Sequence, residues 1–206
     1  MEVGVFGTGM VGEAIASKLV ALRHDVMMGS RSAQNPKAVA WAQRAGALAK
    51  TGDFAAAAQF GELLFNCTNG AHSLEALGQA RAEDLSDKVL IDVANVLRPA
   101  TVAAESLGEQ IQKALPRVRV VKALNTMNSD VMVDPAKLDE PHTVFVCGND
   151  GAAKDAVRQL LQSFGWQDII DVGDITAARA TESYLSLWLA LWKRLGTTQF
   201  NIRVVR

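Results

Sequence analysis

Met1-Glu2-Val3-Gly4-Val5-Phe6-Gly7-Thr8-Gly9-Met10-Val11-Gly12 is the stretch that decides the fold of this chain. A short apolar strand runs directly into Gly-x-Gly-x-x-Gly, and a helical pattern follows from Glu13 to Leu22. In this context Gly7 permits a tight turn, Gly9 lets a pyrophosphate approach the backbone, and Gly12 allows the helix to pack closely on the strand. The helix N-terminus directs free N–H groups and the positive end of its dipole toward phosphate. The stretch therefore predicts a dinucleotide-binding loop, with an unliganded glycine-rich turn as the alternative.

The composition is that of a globular protein: of 206 residues, 49% are apolar and 21% are charged, and the net charge is −1. This length accommodates one large domain, or one domain with a small appendage. A nearly neutral chain has no overall field that attracts nucleic acid or an anionic membrane, so we expect neither as a partner. Cys67 and Cys147 belong to no Cys-x-x-Cys pattern or histidine cluster. We therefore expect buried free thiols, no disulfide and no metal site.

The sequence also bears on where the protein resides. The first residues lack the basic leader of a signal peptide, because the glycine motif begins at once. The most apolar late stretch, Tyr184 to Leu195, is shorter than the roughly 20 residues that a membrane span needs. We therefore expect a cytoplasmic protein of a reducing compartment.

Strand and helix patterns alternate along the chain, which predicts an α/β fold with a Rossmann doubly wound parallel sheet. Short apolar runs predict strands, and Asn35-Pro36 is typical of a helix start. We expect a nucleotide-binding domain over residues 1–125 and a small, integrated C-terminal α/β lobe over 126–206. Strands are expected at 3–6, 25–29, 46–49, 62–66, 88–93, 117–123, 143–147 and 168–172. Helices are expected at 10–22, 36–45, 73–80, 101–115, 152–164 and 176–195, with one more helix, capped by Thr51-Gly52-Asp53, that ends near Phe60.

The end of the second strand, Gly29-Ser30-Arg31-Ser32, indicates which nucleotide binds. NAD sites usually place an acidic residue there to hold the ribose hydroxyls, and this chain has none. Arg31 can form a charge-assisted fork with a 2′-phosphate, and Ser30 and Ser32 can donate to it. Lys37 adds a further positive charge. We therefore predict NADP rather than NAD, with a solvated loop role for Arg31 as the alternative.

Ligands of an open parallel sheet lie beyond the carboxyl ends of its strands, so polar residues at those ends are candidates for the rest of the site. Asn125 and His72 follow two such strands and are predicted to face the substrate. For Asn69-Gly70, a plain turn is as compatible with the sequence as a ligand contact. The predicted cofactor contacts are Gly7, Thr8, Gly9, Met10, Val11, Gly12, Ser30, Arg31, Ser32, Lys37, Cys67, Thr68, Asn69 and Asn95.

Two residues are candidates for proton transfer, although hydride transfer itself needs only orientation and burial. His72 lies just past a strand and is placed to orient a substrate or pass a proton, with a capping or surface role as the alternative. Lys122 lies near the end of a buried strand and is a candidate acid for a keto-acid reductase. Because side chains alternate along a strand, Lys122 instead points to solvent or pairs with Asp92 in the alternative interpretation.

The last predicted helix is apolar on nearly every side, with Tyr184, Leu187, Trp188, Trp192 and Leu195 among its residues. A helix with one face in water is not expected to have this pattern. The helix is therefore either buried inside the C-terminal lobe or shared with a second subunit. We predict a homodimer. The weakly alternating tail, 200–206, is expected to add an edge strand or to cover the sheet.

Four motifs together resemble one known family: Gly7–Gly12, Met28–Arg31, Val121–Asn125 and Val146–Asp150. The chain is similar over its whole length to the NADP oxidoreductase, coenzyme F420-dependent family, and to the reductase domain of the six-transmembrane metalloreductases. The resemblance implies a Rossmann domain that holds NADP(H) and a small C-terminal part that closes the second substrate site. It also implies that Thr8, Ser30 and Arg31 contact the phosphates, and that His72 matches the family's histidine.

The sequence departs from the archaeal deazaflavin enzymes of that family at two places. Those enzymes have Pro-Trp at Asn69-Gly70 and histidine at Asn125, and in both respects this chain is more similar to the metalloreductases, which pass hydride to a flavin. We therefore predict an NADPH-dependent oxidoreductase whose acceptor is a flavin or a deazaflavin of the F420 type. The alternatives are a small imine or keto-acid reductase and a non-enzymatic NADP-sensing protein.

Overall fold

The computed structural model describes residues 1–96 and 105–206, and within these ranges eight strands form a single sheet. The strands are β1 (Glu2–Phe6), β2 (Asp25–Ser30), β3 (Ala49–Asp53), β4 (Leu63–Asn66), β5 (Val89–Asp92), β6 (Arg119–Ala123), β7 (Thr143–Gly148) and β8 (Asp168–Asp171). The α-helices are α1 (Met10–Ala21), α2 (Pro36–Ala45), α3 (Phe54–Phe60), α4 (Ser73–Leu77), α5 (Ala82–Leu85), α6 (Leu107–Ala114), α7 (Ser129–Val133), α8 (Gly151–Phe164) and α9 (Ala178–Leu195).

The strand order across the sheet is β3-β2-β1-β4-β5-β6-β7-β8. Neighbouring strands in the described residues run parallel except for β6 and β7. The order reverses between β1 and β4, and in doubly wound sheets a ligand binds in the crevice at such a reversal. The predicted Rossmann-type α/β sheet is confirmed. β7 and β8, from the predicted C-terminal lobe, continue the same sheet.

Alternating side chains of the strands build a core on each face of the sheet. On one face Val5 belongs to a cluster that includes Ile15 of α1 and Leu161 of α8. On the other face Phe6 belongs to a second cluster that includes Ile111 of α6. Because both faces are covered, the inner strands are mostly apolar, as expected for a buried parallel sheet.

The third strand lies later in the chain than predicted. The sequence predicted a short strand over 46–49 and a helix cap at Thr51-Gly52-Asp53, whereas β3 occupies Ala49–Asp53 and only Asp53 caps α3, accepting a hydrogen bond from the N–H of Ala56. β3 is an edge strand that pairs with β2 alone and is mostly half-buried or exposed. An edge strand of this kind lacks the apolar run that marks a buried strand.

Two helices also differ from their predicted bounds. The helix predicted over 73–80 ends at Leu77, and Gly78 follows as its C-cap. Within the predicted helix 101–115, α6 begins at Leu107, because Ser106 and Glu109 form a reciprocal capping box. Positions 101–104 of that prediction lie outside the described residues.

Of the two alternatives for the last helix, burial inside the C-terminal lobe is not observed. In α9 only Ala178 and Thr181 are buried, whereas Leu187 is 54% exposed, Trp192 46% and Leu195 55%. The helix packs on α6 through its first half and presents apolar side chains to solvent in its second half. Over residues 1–96 and 105–206, no helix has both the length and the apolarity to cross a membrane.

The C-terminal tail lies against the start of β7 and forms no strand of its own. The N–H of Thr143 donates to the carbonyl of Ile202 at 2.9 Å, and the N–H of Val204 donates to the hydroxyl of Thr143 at 2.9 Å. Phe200 stacks on Trp188 of α9 with 5.5 Å between ring centroids. The predicted edge strand is therefore not formed, and the tail instead contacts the start of β7 and α9.

Candidate functional site

The glycine loop, Gly7–Gly12, joins β1 to α1 and is shaped by close backbone contacts. Gly7 has φ +118°, and a Cβ there would lie 2.6 Å from the carbonyl oxygen of Cys67. A Cβ on Gly12 would lie 2.1 Å from the carbonyl oxygen of Gly7, so only glycine permits this turn and this helix packing. A Cβ on Gly9 would meet nothing within 4 Å. Gly9 therefore faces open space, and its lack of a side chain is not required by the packing of the protein itself.

A groove of about 420 Å³ lies between the glycine loop and the start of α2. Gly9 is the N-cap of α1 and supplies no side-chain cap, so the first N–H groups of that helix lack intrahelical partners. Arg44 and Glu13 form an ion pair of 2.7 Å at the border of the groove. The groove is lined by Thr8, Gly9, Met10, Glu13, Pro36, Lys37, Ala40 and Arg44.

The turn after β2 carries the predicted phosphate contacts. The hydroxyl of Ser30 is buried, donates to the carbonyl of Ser32 at 2.7 Å and accepts from the N–H of Ser32 at 3.2 Å. These bonds engage the Ser30 hydroxyl within the turn, so it fixes the loop rather than reaching outward. Arg31, Ser32 and Lys37 are exposed. The exposed cations Arg31 and Lys37 are thus available to an anionic ligand.

The residues after β4 have most of their polar side-chain groups already bonded within the protein. The Thr68 hydroxyl donates to the side-chain oxygen of Asn66 at 2.7 Å and lies 2.8 Å from the hydroxyl of Ser73. The Asn69 side chain accepts from the N–H of Ala71, which caps a 3-10 turn over residues 70–72. The sequence left a turn at Asn69-Gly70 open as an alternative, and the side chain of Asn69 does serve that turn.

Cys67 and Cys147 are free and buried, as predicted. Burial raises the pKa of the Cys67 thiol, with the nearby Asp92 carboxylate as a smaller cause. Burial likewise raises the pKa of Cys147 to about 12. Neither thiol is therefore a nucleophile at neutral pH. Among the described residues, no group of three or more histidine, cysteine or acidic side chains is placed to hold a metal ion.

Asn95 and Asn125 bond to each other where β5 and β6 end. The Asn95 amide donates to the carbonyl of Asn125 at 2.6 Å, and the Asn125 amide donates to the side-chain oxygen of Asn95 at 3.0 Å. Asn125 is buried, and Leu124 before it has φ +62°. Next to this pair, the buried hydroxyl of Thr126 has no hydrogen-bond partner among residues 1–96 and 105–206. Sequence reasoning did not single out Thr126, because nothing in a single sequence marks an unpaired hydroxyl.

The two candidates for proton transfer have opposite surroundings. The His72 side chain is 70% exposed, and its Nδ1 lies 3.4 Å from the Glu75 carboxylate. This position is compatible with the predicted role in substrate contact and with the surface alternative. The Lys122 side chain is fully buried, as is that of Asp92, with which it pairs at 2.8 Å. For Lys122 the structure thus shows the pairing that the sequence left as an alternative.

The Lys122 ammonium has no N–H left for a substrate. It donates to Asp92 at 2.8 Å, to Glu182 of α9 at 2.9 Å and to the backbone carbonyl of Ala94, which accounts for its three donors. Burial by itself lowers the pKa of Lys122, but the carboxylates of Asp92 and Glu182 outweigh burial and raise it. A saturated, enclosed ammonium with a raised pKa is a poor general acid at neutral pH, so the geometry does not support the predicted catalytic role.

Asn66 links this ion pair to the loop after β4, and sequence reasoning missed it. Its amide donates to Asp92 at 2.8 Å and to the Ser73 hydroxyl at 3.0 Å, while its oxygen accepts from the backbone and hydroxyl of Thr68. Asn66 has no exposed surface. A polar residue at the end of a fully buried strand was the available signal, since such a side chain requires partners.

The residues around the glycine loop fit a dinucleotide phosphate. The open space at Gly9 and the free N–H groups of α1 suit a pyrophosphate. No carboxylate ends β2, and the exposed Arg31 and Lys37 lie in the adjoining segments. This arrangement suits the additional 2′-phosphate of NADP.

Known proteins share this architecture over part or all of the chain. The rat metalloreductase STEAP3 is 28% identical over 195 residues, which cover 93% of this chain and 38% of that protein, so the chain spans well under half of this relative. An F420-dependent NADP reductase of Methanocaldococcus jannaschii is 26% identical over 223 residues and is covered to 96%, as is this chain. A solved imine reductase of Pseudomonas sp. is 19% identical with a TM-score of 0.71, covering 95% of this chain and 62% of that one, and this likeness shows the fold alone.

Two findings identify the family. The model of the family described as NADP oxidoreductase, coenzyme F420-dependent, matches residues 2–96. The crystal structure of a candidate F420-dependent NADP-reductase from Arthrobacter sp. FB24 is 43% identical, superposes with a TM-score of 0.94, and covers both chains completely. The chain therefore belongs to the coenzyme F420-dependent NADP oxidoreductase family, whose members are NADP-dependent oxidoreductases.

Proposed function

We propose that the protein transfers hydride between NADP(H) and a flavin or a deazaflavin of the F420 type. The observation that carries the proposal is the groove at the glycine loop, where an open Gly9 and the unpaired first turn of α1 lie close to exposed cations. Family membership supports NADP(H) as one partner. The relative from M. jannaschii is named an F420-dependent NADP reductase, which supports the deazaflavin. The departures at Asn69-Gly70 and Asn125 support a flavin.

In the proposed site, two regions at the carboxyl ends of the strands bind different parts of NADP(H). The N–H groups of Gly7–Gly12 hold the pyrophosphate, while Arg31, Ser32 and Lys37 hold the 2′-phosphate. Residues 67–69, 93–96 and 124–126 follow β4, β5 and β6, and we call them the mouth. The nicotinamide, which supplies or accepts the hydride when it is bound, lies at the mouth. There the chain's own contribution is to orient the ring and to exclude water.

The acceptor is proposed to lie beyond the mouth, beside His72. Because this histidine is exposed, it is free to contact an acceptor or to pass a proton to it. Gly70, in the turn before His72, packs against the mouth, because a Cβ there would lie 2.4 Å from the carbonyl oxygen of Asn95. Asn125 is buried and bonded to Asn95, so its proposed role is to support the floor of the substrate site.

An imine or keto-acid reductase is the second enzymatic candidate. That chemistry needs a proton donor at the substrate, and the Lys122 ammonium has all three N–H groups engaged inside the protein. His72 remains the one predicted donor with an exposed side chain. The geometry therefore favours acceptance of hydride by a flavin-like ring, for which a protein proton donor is optional.

Spectrophotometry of NADPH oxidation tests the proposal. The protein is mixed with NADPH and, in turn, flavins, the deazaflavin F420, ferric chelates, keto acids and imines. We expect turnover with a flavin or with F420 and a preference for NADPH over NADH. Tight NADP binding without turnover on any acceptor would favour the NADP-sensing alternative, and turnover confined to keto acids or imines would favour the second enzymatic candidate.

We also propose that α9 forms the interface of a homodimer. Its exposed apolar residues, Leu187, Leu189, Trp192 and Leu195, lie on a helix that also packs on α6. Size-exclusion chromatography with light scattering is expected to give twice the chain mass of 22.0 kDa. A species of 22.0 kDa at all concentrations would refute the dimer.

We also propose a cytoplasmic location, which the two free, buried thiols support.

A further inference from the structure

Three polar side chains stand side by side across the buried sheet, and we call them the polar row: Asn66 of β4, Asp92 of β5 and Lys122 of β6. The strand register pairs Asn66 with Asp92 and Asp92 with Lys122, so the three lie on one face at the carboxyl end of the sheet. Each is at most 1% exposed. A buried charged row of this kind costs desolvation energy, and hydrophobic residues of similar size are often as stabilising, so stability alone does not account for it.

The polar row holds the backbone of the mouth at two places. Asn66 accepts a hydrogen bond from the N–H of Thr68 at 3.3 Å. Asp92 accepts from the N–H of Ala94 at 3.2 Å, and Lys122 donates to the carbonyl of the same residue. The side chains in the row thus fix the loops after β4 and β5 from beneath. These are the loops proposed to contact the nicotinamide.

Glu182 ties the polar row to the C-terminal helices. One of its oxygens lies 2.9 Å from the Lys122 ammonium, and its carboxylate accepts from the N–H groups of Leu107 and Gly108 at 2.9 and 3.0 Å. Those N–H groups belong to the first turn of α6, where a negative charge is favourable. A single carboxylate on α9 therefore joins α9, α6 and the row.

We propose that Lys122 and Glu182 are positioning residues, which hold the mouth in the geometry that the nicotinamide half of the cofactor requires. This inference rests on the proposed binding of NADP(H) at the mouth. Neither residue touches the cofactor. Lys122 acts through Asp92 and Ala94, and Glu182 acts by keeping the ammonium in place. The consequence is that α9 contributes to the site even though its exposed half lies outside it.

A purely structural role makes a different prediction from a positioning role. A protein that is merely less stable, but folded, binds all parts of its cofactor as before or weakens them together. Loss of positioning at the mouth weakens contacts to the nicotinamide half and spares the adenosine half. Adenosine 2′,5′-bisphosphate carries the adenosine and the 2′-phosphate without the nicotinamide, so its affinity reports the glycine loop and the Arg31 segment alone.

The test uses the full chain and the variants Lys122→Met and Glu182→Gln. Arg179→Met is the matched control, because it removes another α9–α6 ion pair, to Glu109, without touching the row. Calorimetry gives the dissociation constants of NADP⁺ and of adenosine 2′,5′-bisphosphate. We expect Lys122→Met to weaken NADP⁺ by about tenfold and the bisphosphate by less than about twofold, with a smaller loss in the same direction for Glu182→Gln. Arg179→Met is expected to change neither constant.

Amide hydrogen exchange without ligand provides a second readout. The N–H groups of Thr68 and Ala94 are expected to exchange faster in Lys122→Met and Glu182→Gln than in the parent and in Arg179→Met. If Lys122→Met does not fold, Glu182→Gln carries the same expectation, since it keeps the size of the side chain. Unchanged exchange at both amides, or equal weakening of both ligands, would overturn the inference while the proposed function stands. A parent protein that binds the bisphosphate but not NADP⁺, or neither, would refute the proposed function and this inference with it.

Discussion

Around the glycine loop, the candidate site offers a ligand backbone N–H groups and the exposed cations Arg31 and Lys37. At the mouth, the side chains already form hydrogen bonds within the protein, as those of Thr68 and Asn95 do. The first part is open and built from neighbouring residues of the chain. The second is held from beneath by a buried ionic row. A change of charge is therefore expected to affect mainly binding in the first part, and both folding and binding geometry in the second.

The largest expected effect is the loss of the buried charge of Asp92. Asp92→Asn leaves the Lys122 ammonium with one carboxylate fewer in a fully buried position. Removing one partner of a buried ion pair costs about 3–5 kcal/mol, and we expect the free energy of unfolding to fall by that amount. Urea denaturation with linear extrapolation measures it.

Asp87→Asn is the matched control for that variant. Asp87 pairs with Arg117, but both side chains are about 70% exposed, and surface pairs contribute about 0–1 kcal/mol. Asp87 has φ +63°, which asparagine tolerates well. If Asp92→Asn lowers the free energy of unfolding no more than Asp87→Asn does, the polar row contributes no more than a surface ion pair. The contrast between the mouth and the glycine loop would then not hold.

The next effect separates two glycines of the same loop. Gly12→Ala places a Cβ 2.1 Å from the carbonyl oxygen of Gly7, and we expect a loss of about 3 kcal/mol in the free energy of unfolding from overpacking. Gly9→Ala meets nothing within 4 Å, so its unfolding free energy should change little. The affinity of Gly9→Ala for NADP⁺ should nevertheless fall, because the methyl group occupies space proposed for the pyrophosphate. Unchanged NADP⁺ affinity in Gly9→Ala would remove the glycine loop from the binding site.

A smaller effect concerns the exposed cation of the glycine-loop region. Arg31→Ala should weaken NADPH by about tenfold to a hundredfold, as the loss of a charge-assisted contact of ~1.5–3 kcal/mol implies, and should leave NADH almost unchanged. Fluorescence titration with both nucleotides measures the ratio. Arg44→Ala is the control, because Arg44 borders the same groove but is paired with Glu13. Equal affinity of the parent for NADH and NADPH would show that the 2′-phosphate is not bound there.

The two regions also differ in how far the sequence predicts them. Strand and helix alternation is a local pattern, and the glycine loop and the Arg31 segment are each contiguous, so the fold and this part of the candidate site follow from the sequence. The edge strand β3 does not, because it lacks a continuous apolar run. The sequence offered Lys122 and Asp92 as one possible pair without selecting it, because only the strand register determines which buried side chains meet.

The sequence pattern does not predict the polar row or the contact that Glu182 makes with it. Asn66 and Asp92 end their strands and Lys122 is the last residue but one of β6, and their alignment depends on the register of three strands that are far apart in the chain. Glu182 lies just before the apolar part of α9. That apolar pattern predicts a second subunit rather than a contact with the sheet. Asn66 and Glu182 were therefore missing from the predicted site, although both carry hydrogen bonds that shape it.

The smallest expected effect concerns a partly exposed ion pair between α6 and α9, which lies outside the polar row. Glu109 of α6 accepts hydrogen bonds from Arg179 of α9, and chiefly this contact, helped by Ser106, lowers the pKa of Glu109 to about 2. Because the folded pKa lies below the unfolded value of 4.5, the ion pair stabilises the protein at neutral pH, and this contribution is lost as the pH falls from 4.5 toward 2.

Arg179 is about half exposed, so screening limits the contribution to about 1 kcal/mol. Glu109→Gln keeps the capping interaction with Ser106 and removes the charge. The difference in unfolding free energy between the parent and Glu109→Gln should therefore be about 1 kcal/mol at pH 7 and smaller at pH 3, which lies within the range over which the contribution is lost, as measured in urea at both pH values. A difference of the same size at pH 3 and pH 7 would show that the charge of Glu109 is not its source. A difference of several kcal/mol at pH 7 would mean that this outer link is as strongly desolvated as the polar row, and the contrast between the exposed and buried parts of the α9 attachment would not hold.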